Sequence, residues 1–526
     1  MTSDDPCARL VSRLADAPEL LPFPADDGAE TVETHISRLL LAGEHVLKFK
    51  KPVDFGFLDF STLARREHFA HEELRLNRRF APELYLDVLR VTGTPDAPRF
   101  DGEGPPLEYA VLMRRFPQAA QLDRELAAGT LTPGDLEAVG REIARWQAAL
   151  PRAEAADRWG DFESVVHPVR ENFEHLRREL SDRPELVARV EPLDTHSDRA
   201  AETLRGRFAE RRAAGFVREG HGDLHLSNLA RLPEGIRAFD CIEFSAELRW
   251  IDVVSDLAFL FMDLLTRDRS DLAWRLVNAW HTASGDWRGL RLLRFYALYR
   301  TMVRAKVAAL QRGQQEDRDA RAALERRVAL HLSVGEGLAA APRPVLVLMH
   351  GVSGSGKSHH AIPLADGLGA VHLRSDVERK RLFDLDPLAR GGVDEGLYTP
   401  EATTRTYAHL AAITEELLDG GLSVIVDATF LERERRAHFA ALGERAGVPV
   451  AVVDCEAPTV VLRERLQRRN QRGDDPSDAD ETVLERQERS REPLRPEESG
   501  YTRIQAGAGT APEQLVERIE KLIAGA

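Results

Sequence analysis

The stretch GVSGSGKS at residues 351–358 has the residue types and spacing of a phosphate-binding loop. It fits the pattern GxxxxGK followed by Ser or Thr, after the apolar run VLVLM and before a helical pattern. Glycines let backbone N–H groups wrap around phosphates, the lysine reaches the β and γ phosphates, and the hydroxyl ligates Mg²⁺. A merely flexible Gly/Ser loop is the alternative. The predicted nucleotide-binding residues are Gly351, Ser353, Gly354, Ser355, Gly356, Lys357 and Ser358.

Two aspartates follow apolar strand patterns in the same part of the chain. Asp376 in VHLRSDVERKRL stands where substrates lie in open α/β folds, and could take the proton of an attacking hydroxyl. Arg379 and Lys380, one turn onward, could hold anionic groups. Asp427 in LSVIVDATF could hold the Mg²⁺ shell. The alternatives are a helix N-cap for Asp376 and a plain turn residue for Asp427.

An arginine-rich helical segment, LRERLQRR, precedes an acidic loop that contains Gly and Pro. Such a helix and lid can close over a triphosphate and supply positive charge to the transition state. Arg468 is the predicted catalytic arginine, with Arg465, Arg469 and Arg472 beside it. Solvated surface arginines are the alternative.

A second phosphate-transfer pattern lies more than a hundred residues upstream, in HGDLHLSNLA at residues 221–230. Asp223 and Asn228 have the separation of Asp and Asn in the kinase catalytic loop HRDxxxxN. Asp240 ends a short apolar strand pattern twelve residues beyond Asn228. In such a site the first aspartate deprotonates the acceptor hydroxyl, and the other two residues bind Mg²⁺.

This upstream region, from about residue 30 to residue 300, resembles the aminoglycoside phosphotransferase and choline kinase-like group. The resemblance implies a phosphate-binding lysine, Lys48, with Lys50 as rival. It also implies a helix partner, Glu72, with Glu73 and Glu67 as rivals. It makes Asp252 and Asp256 structural residues that accept bonds from the catalytic loop or cap a helix. No GxGxxG-like loop precedes the lysine, which is a departure from the kinase pattern.

Residues 343 to about 510 resemble the P-loop kinases of small molecules and polynucleotides, which include gluconate kinase, chloramphenicol phosphotransferase, zeta toxin and polynucleotide kinase. The order of the two regions resembles bacterial proteins described as bifunctional aminoglycoside phosphotransferase and ATP-binding proteins. These resemblances imply ATP and Mg²⁺ as cofactors and a small-molecule hydroxyl as acceptor.

The elements that must position these residues fall into two patterns. Strand, strand, helix, strand in residues 35–116, followed by helical periodicity, predicts a bilobal protein kinase-like fold of α+β type. Strands that alternate with helices beyond residue 344 predict an α/β P-loop domain with a parallel sheet and helices on both faces. The predicted divisions are an N-lobe at 1–118, a helical C-lobe at 119–337, a linker at 338–344 and a P-loop kinase domain at 345–526.

Composition narrows the class of protein. A formal net charge of −15 without a long basic run argues against a general nucleic-acid coat. Three widely separated cysteines indicate neither a disulfide framework nor a zinc site. The acidic start MTSDDPCARL is unlike a secretory signal, and the longest apolar run, LAFLFM, is too short to span a bilayer. We expect a cytoplasmic protein without membrane or nucleic-acid partners, and the oligomeric state stays open.

The sequence therefore predicts an ATP-dependent phosphotransferase with two modules, each acting on a hydroxyl of a sugar, an aminoglycoside-like or a nucleotide-like acceptor. One alternative is a P-loop kinase regulated by a non-catalytic, ligand-sensing kinase-like domain. Another is a P-loop ATPase that works by motion on a macromolecule.

Overall fold

The computed structural model describes residues 5–25, 27–56, 58–386, 397, 399–472, 477, 481–507 and 509–525, and for 469–472 it describes the backbone alone. By its internal contacts the chain divides into two compact units. The first comprises Met1–Leu131, Ala149–Pro168 and Arg205–Leu260, and the second comprises Thr132–Ala148, Val169–Leu204 and Phe261–Ala526. The four predicted domain divisions rest on the sequence and stay a prediction.

The first unit begins with a helix and an antiparallel sheet. The elements are α1 (Pro6–Asp16), β1 (Ala29–Glu33), β2 (Ser37–Ala42), β3 (His45–Lys50), α2 (Leu63–Asn77), β4 (Tyr85–Thr94), β5 (Ala97–Phe100) and β6 (Pro106–Arg114). The strand order is β1-β2-β3-β6-β4-β5. Alternate residues of β2 and β3, among them Leu40 and Leu47, are buried against α1, as expected of a sheet face that packs on a helix.

The turn between β2 and β3 depends on Gly43. Its φ is +53°, in the left-handed region that favours glycine, and a Cβ there would lie 2.6 Å from the carbonyl oxygen of Pro24. The register of this hairpin sets Lys48 opposite Leu39 and Val111.

Helix α2 begins after Thr62, whose hydroxyl accepts a hydrogen bond from the backbone N–H of Arg65 at 3.3 Å. Ala70 and Leu74 pack with residues of β4 and β6 in the core below the sheet. Glu73 and Asn77 are four residues apart and both are fully buried, so this face of α2 carries polar groups inward.

The catalytic-loop region of the first unit is built from short elements. These are α3 (Leu122–Ala127), β7 (Val217–Glu219), β8 (Leu229–Leu232), β9 (Gly235–Ala238), α7 (Ala246–Arg249) and β10 (Trp250–Asp252). Strand β7 pairs antiparallel with β10, and β8 pairs antiparallel with β9. The segment 221–228 lies between these two pairs.

Helices dominate the middle of the chain. They are α4 (Pro133–Ala149), α5 (Phe162–Glu179), α6 (Pro184–Ala213), α8 (Val253–Leu265), α9 (Ser270–Ser284), α10 (Leu293–Gln314) and α11 (Arg318–Ala339). In the second unit α10 packs along α11. Among the described residues, no helix is both long and apolar enough to cross a membrane.

The second unit also contains a parallel sheet with helices on both faces. Its strands are β11 (Leu346–His350), β12 (Ala370–Arg374), β13 (Ser423–Asp427), β14 (Val450–Cys455) and β15 (Thr502–Ala506). Its helices are α12 (Lys357–Leu368), α13 (Ser375–Leu382), α14 (Pro400–Asp419), α15 (Arg433–Ala446), α16 (Thr459–Arg472), α17 (Glu481–Ser490) and α18 (Pro512–Gly525). The strand order is β12-β13-β11-β14-β15, and every pairing is parallel.

Helix α9 lies against the outer edge of β12. The Nδ2 of Asn278 donates to the carbonyl of Ala370 at 3.0 Å, and the N–H of His372 donates to the Oδ1 of Asn278 at 2.9 Å. One side-chain amide thus forms the two bonds that a neighbouring strand would form.

The predicted fold class is confirmed in both parts: a kinase-like arrangement of antiparallel sheet, helix and catalytic loop, and a parallel P-loop sheet. Strands β2, β3, β6 and β11 to β14 and helix α2 fall where the sequence predicts them. The predicted elements did not include β1, β4, β5, β7, β8, β10 and β15.

Candidate functional site

The loop after β11 has the backbone of a phosphate-binding loop. Gly351, Gly354 and Gly356 have φ values of +139°, +82° and +102°, which side chains rarely permit. A Cβ on Gly351 would lie 2.5 Å from the carbonyl oxygen of Cys455. Helix α12 begins at Lys357, so its N-terminus follows the loop directly and favours an anion there.

Side chains from α16 and α17 contact this loop. Arg465 donates from Nη1 to the carbonyl of Gly354 at 3.1 Å, and the backbone N–H of Ser353 donates to the Oε1 of Gln487 at 2.7 Å. Lys357 donates from Nζ to the carbonyl of Val352 at 2.9 Å. Helices α16 and α17, which follow β14, therefore lie against one side of the phosphate-binding loop.

Ser358 and Asp427 form the pair that the sequence predicts for Mg²⁺. The Ser358 hydroxyl donates to the Oδ2 of Asp427 at 2.6 Å, and the Nε2 of His372 lies 3.2 Å from the same oxygen. Burial acts to raise the pKa of Asp427, but the hydrogen bond and charge of His372, with the charges of Arg374 and Lys357, lower it to about 2. The carboxylate is therefore ionised at neutral pH.

A cavity of about 340 Å³ joins the loop to the other predicted residues. Gly354, Lys357 and Ser358 line it together with Asp376, Arg379 and Asp427. Asp376 lies in the first turn of α13, directly after β12. The cavity therefore unites the predicted phosphate loop, metal pair and base.

The predicted arginine Arg468 does not line this cavity in the described part of the chain, whereas its neighbour Arg465 does. The Arg468 side chain is 74% exposed and pairs with Glu464, one turn away on the outer face of α16. The side chains of Arg469 and Arg472 lie outside the described ones.

Sequence reasoning missed several residues that line the same cavity. They are Arg374, Thr403, Tyr407, Thr429, Arg435, Arg486 and Gln487. They come from β12, α14, α15, α17 and the segment after β13. No local motif marks them, because only the packing of the helices brings them to one place.

In the first unit, Lys48 connects two of the predicted residues. Its Nζ donates to the Oε1 of Glu73 at 2.7 Å and to the Oδ1 of Asp240 at 2.6 Å. The pairing with Glu72 is therefore wrong, and the rival Glu73 is the partner. Glu72 lies about 100° away around the axis of α2 and instead pairs with Arg75 at 2.9 Å and Arg249 at 3.4 Å.

The second lysine of β3 takes part in the same buried network. Lys50 donates to the Oε2 of Glu73 at 2.8 Å and also pairs with Glu243. Burial acts to lower the pKa of Lys48, but Asp240 and Glu73 raise it well above its usual value. The two lysines in turn lower the pKa of Glu73 against the effect of burial. Asp240 at Lys48, Glu243 at Lys50 and Glu73 at both therefore keep the two ammonium groups in their charged form.

The catalytic loop brings Asp223 and Asn228 together. The Nδ2 of Asn228 donates to the backbone carbonyl of Asp223 at 2.9 Å and to the Oδ2 of Asp223 at 3.2 Å. The Oδ1 of Asn228 therefore lies on the other side of its amide group. The Nε2 of His225 lies 3.4 Å from the Oδ2 of Asp223. The predicted base, Asp223, and the predicted metal ligand, Asn228, are thus held in one small loop.

Asp256 and Asp252 have the structural roles predicted for them. Asp256 accepts hydrogen bonds from the backbone N–H groups of His221 at 2.7 Å and Gly222 at 2.9 Å. Asp252 accepts from the N–H of Val254 at 2.9 Å near the start of α8, and pairs with buried Arg211 at 2.6 Å. Asp256 therefore fixes the backbone of the catalytic loop, and Asp252 fixes the start of α8, the helix that contains Asp256.

Asp240 stands at a strained position. Its φ is +63°, which is uncommon outside glycine, and its backbone N–H donates to the hydroxyl of Tyr85 at 3.0 Å. The next N–H, of Cys241, donates to the Oδ1 of Asn77 at 2.9 Å. Such strain concentrates at ligand-binding positions.

The predicted metal-binding residues of both units offer oxygen atoms as ligands, and Mg²⁺ prefers oxygen ligands. Ser358 and Asp427 offer a hydroxyl and a carboxylate, and Asn228 and Asp240 offer an amide oxygen and a carboxylate. Among the described residues no group of three or more His, Cys, Asp and Glu could hold a metal ion by itself. This donor set fits a cation that is held jointly by protein and phosphates.

Two mycobacterial proteins align with most of the chain: the uncharacterized proteins Rv2004c of Mycobacterium tuberculosis and Mb2027c of Mycobacterium bovis. Each is 30% identical over 441 residues, which cover 83% of this chain and 85% of the relative. The chain belongs to the family of these mycobacterial proteins. The aligned segment is longer than either compact unit. The relatives therefore share both parts of the chain.

A family model described as an AAA domain matches residues 346–494 of this family member, which confirms the predicted P-loop domain. Solved structures resemble parts of the chain. A choline kinase from Cryptosporidium parvum has a TM-score of 0.41 and 11% identity, and covers 63% of this chain and 96% of its own. A putative kinase from Chloroflexus aurantiacus has a TM-score of 0.28 and 20% identity, and covers 34% of this chain and 98% of its own. Both TM-scores are below 0.5, so function must be argued from the geometry of the sites.

Proposed function

We propose that this chain is an ATP-dependent phosphotransferase with two modules, each of which transfers the γ-phosphoryl group of ATP to a hydroxyl of a small molecule. For the C-terminal module the observation that carries the proposal is the shared cavity. A phosphate loop, the Ser358–Asp427 pair and the carboxylate of Asp376 all line it. A carboxylate beside the phosphates can accept the proton of an attacking hydroxyl.

For the N-terminal module the proposal rests on the contacts of Lys48. This lysine joins α2, through Glu73, to Asp240, which is 192 residues away in the chain. Kinases need a lysine at the phosphates, a glutamate that holds it and an aspartate near the metal. Asp223 and Asn228 complete that set in a loop anchored by Asp256.

The reaction in each module needs little covalent chemistry from the protein. Asp376 in one module and Asp223 in the other accept the proton of the acceptor hydroxyl, whose oxygen bonds to the γ-phosphorus while the bond to the β-phosphate oxygen breaks and ADP leaves. Lys357 and Lys48 hold the phosphates in line. Mg²⁺, held by Ser358 and Asp427 and by Asn228 and Asp240, would supply neutralising charge to the phosphates.

Calorimetric titration of the full chain with ATP and Mg²⁺ tests the two sites. We expect two bound nucleotides for the native chain, one for Lys357→Ala, one for Lys48→Ala and none for the double variant. Arg445→Gln, on the exposed outer side of α15, serves as a control that keeps both sites. A single site that disappears with Lys357→Ala alone would contradict the N-terminal half of the proposal.

Turnover is tested separately, by incubating the chain with ATP, Mg²⁺ and a metabolite extract and detecting phosphorylated products by mass spectrometry. Asp376→Asn should remove the products of one module, and Asp223→Asn those of the other. Unchanged products in Asp223→Asn would instead favour the ligand-sensing alternative for the N-terminal module.

A further inference from the structure

The cavity of the C-terminal module has two halves with different tasks. The phosphate loop, together with Arg465 of α16 and Gln487 of α17, forms the half that would hold ATP. The opposite half is formed by β12, α13, α14 and α15, and contains Asp376, the proposed base. The acceptor must lie in this second half, with its hydroxyl at Asp376.

Cationic side chains outnumber carboxylates among the described residues of this cavity. Of the described residues that line it, six have cationic side chains, Lys357, Arg374, Arg379, Arg435, Arg465 and Arg486, and three have carboxylates, Asp376, Asp427 and Glu432. Lys357, Arg465 and Arg486 stand on the side of the phosphate loop and match the charge of a triphosphate. The other three arginines surround the space that is left for the acceptor.

Arg435 is held in place by two neighbouring side chains. Its guanidinium lies over the ring of Tyr407, 4.1 Å from the centroid, and its Nε donates to the Oε2 of Glu432 at 2.8 Å. The side chain of Arg435 is 17% exposed. With its face on the ring and its Nε bonded to Glu432, the guanidinium can donate from Nη1 and Nη2 to an oxyanion, as stacked arginines do in other proteins.

Tyr407 is itself fixed by a strained turn. Its hydroxyl accepts a hydrogen bond from the N–H of Phe430 at 3.0 Å and lies 3.2 Å from the Oγ1 of Thr429. Phe430 is fully buried and has a φ of +47°, which is rare for a bulky side chain. This turn directs Thr429, Leu431 and Glu432 to the cavity wall, so the platform beneath Arg435 is rigid.

From this arrangement we infer that the acceptor of the C-terminal module is a small alcohol that carries an oxyanion, a phosphate or a carboxylate, bound by Arg435 with Arg374 and Arg379 nearby. The planar guanidinium group binds either oxyanion through two parallel hydrogen bonds. The inference rests on the proposed function, since it names the substrate class of the same site.

The first test uses the full chain with Asp223→Asn, which silences the other module. A metabolite extract is separated on an anion exchanger at pH 7, and each fraction is incubated with γ-labelled ATP and Mg²⁺. We expect Lys357-dependent transfer of label to compounds of the retained fraction. Transfer only to compounds of the unretained fraction would overturn the inference and leave the proposed function intact. Transfer to neither fraction would overturn the proposed function and the inference with it.

The second test uses Arg435→Gln with Arg445→Gln as the matched control on the same helix. We expect the KM for the retained acceptor to rise tenfold or more in Arg435→Gln, with the KM for ATP within twofold of the native value and no change in the control. Arg435→Lys should give an intermediate KM, because it keeps the charge and loses the paired geometry. A rise in the KM for ATP without one for the acceptor would overturn the inference.

Binding of defined probes tests the inference without turnover and without a substitution. Glycerol 3-phosphate and glucuronate are compared with glycerol and glucose for their effect on the unfolding temperature of the ADP-saturated chain. We expect at least one charged probe to raise that temperature more than its uncharged counterpart does. Equal effects within both pairs would contradict a site for oxyanions.

Discussion

The buried network around Glu73 leads to a prediction that separates the two neighbouring glutamates of α2. Glu73→Gln removes the carboxylate that binds Lys48 at 2.7 Å and Lys50 at 2.8 Å, and both ammonium groups remain buried. Loss of one partner from a buried ion pair costs about 3–5 kcal/mol. Each lysine keeps one further carboxylate, Asp240 or Glu243, so we expect the lower end, about 3 kcal/mol.

Glu72→Gln is the matched control. Its main partner, Arg75, is 47% exposed, so the change should cost about 0–1 kcal/mol. Hydrogen exchange of the full chain, followed by mass spectrometry, measures both variants locally. In peptides that cover β3 and α2, Glu73→Gln should speed exchange roughly 100-fold, since about 1.4 kcal/mol corresponds to a factor of ten.

Peptides that cover β11 and β13 belong to the second unit and serve as an internal reference within each sample. Their exchange should be the same in the native chain and in both variants. If Glu72→Gln speeds exchange in β3 and α2 as much as Glu73→Gln does, the assignment of Glu73 as the partner of both lysines is refuted.

Three further predictions concern stability and the phosphate loop. Burial acts to raise the pKa of Glu498, but its hydrogen bonds, first from Arg436, lower it to about 2. The contribution of the Glu498 carboxylate to stability is therefore complete above pH 4.5 and is lost as the pH falls toward 2. Glu498→Gln should lower the unfolding temperature at pH 7 but have little effect near pH 2. Gly351→Ala forces a side chain onto a φ of +139° and should cost about 1–3 kcal/mol, seen in calorimetry as a weaker C-terminal ATP site with the other site unchanged. Arg211→Met leaves buried Asp252 without its ion pair and should destabilise the first unit by about 3–5 kcal/mol, measured by hydrogen exchange in β10.

The phosphate loop and the strands before and after it could be predicted from the sequence because their signals are local. A buried parallel strand has a continuous apolar run, and the glycines of the loop have a fixed spacing. Strand β15 has no such run: it lies at the sheet edge, and three of its five residues are exposed. Its sequence, TRIQA, therefore does not distinguish it from a loop.

The partner of Lys48 depends on the rotation of α2 about its axis, which the sequence around it leaves open. Glu72 and Glu73 are adjacent, and buried residues occur on both sides of them. The row Arg66, Ala70, Glu73 and Asn77 repeats at helical spacing and is buried throughout, but three of its four residues are polar, so no apolar pattern marks it in the sequence. On the proposed acceptor side of the C-terminal cavity the sequence indicated Asp376 and Arg379, but not Arg374, Tyr407 and Arg435, which come from separate elements.

The amide of Asn278 has a consequence for how this protein can be divided. A fragment that begins at residue 343 would contain the whole P-loop motif set but would lack α9. The outer N–H and C=O groups of β12 would then face water as an open strand edge, which promotes association between copies. We therefore expect a fragment that begins at residue 343 to associate more strongly than one that begins before α9 and keeps Asn278.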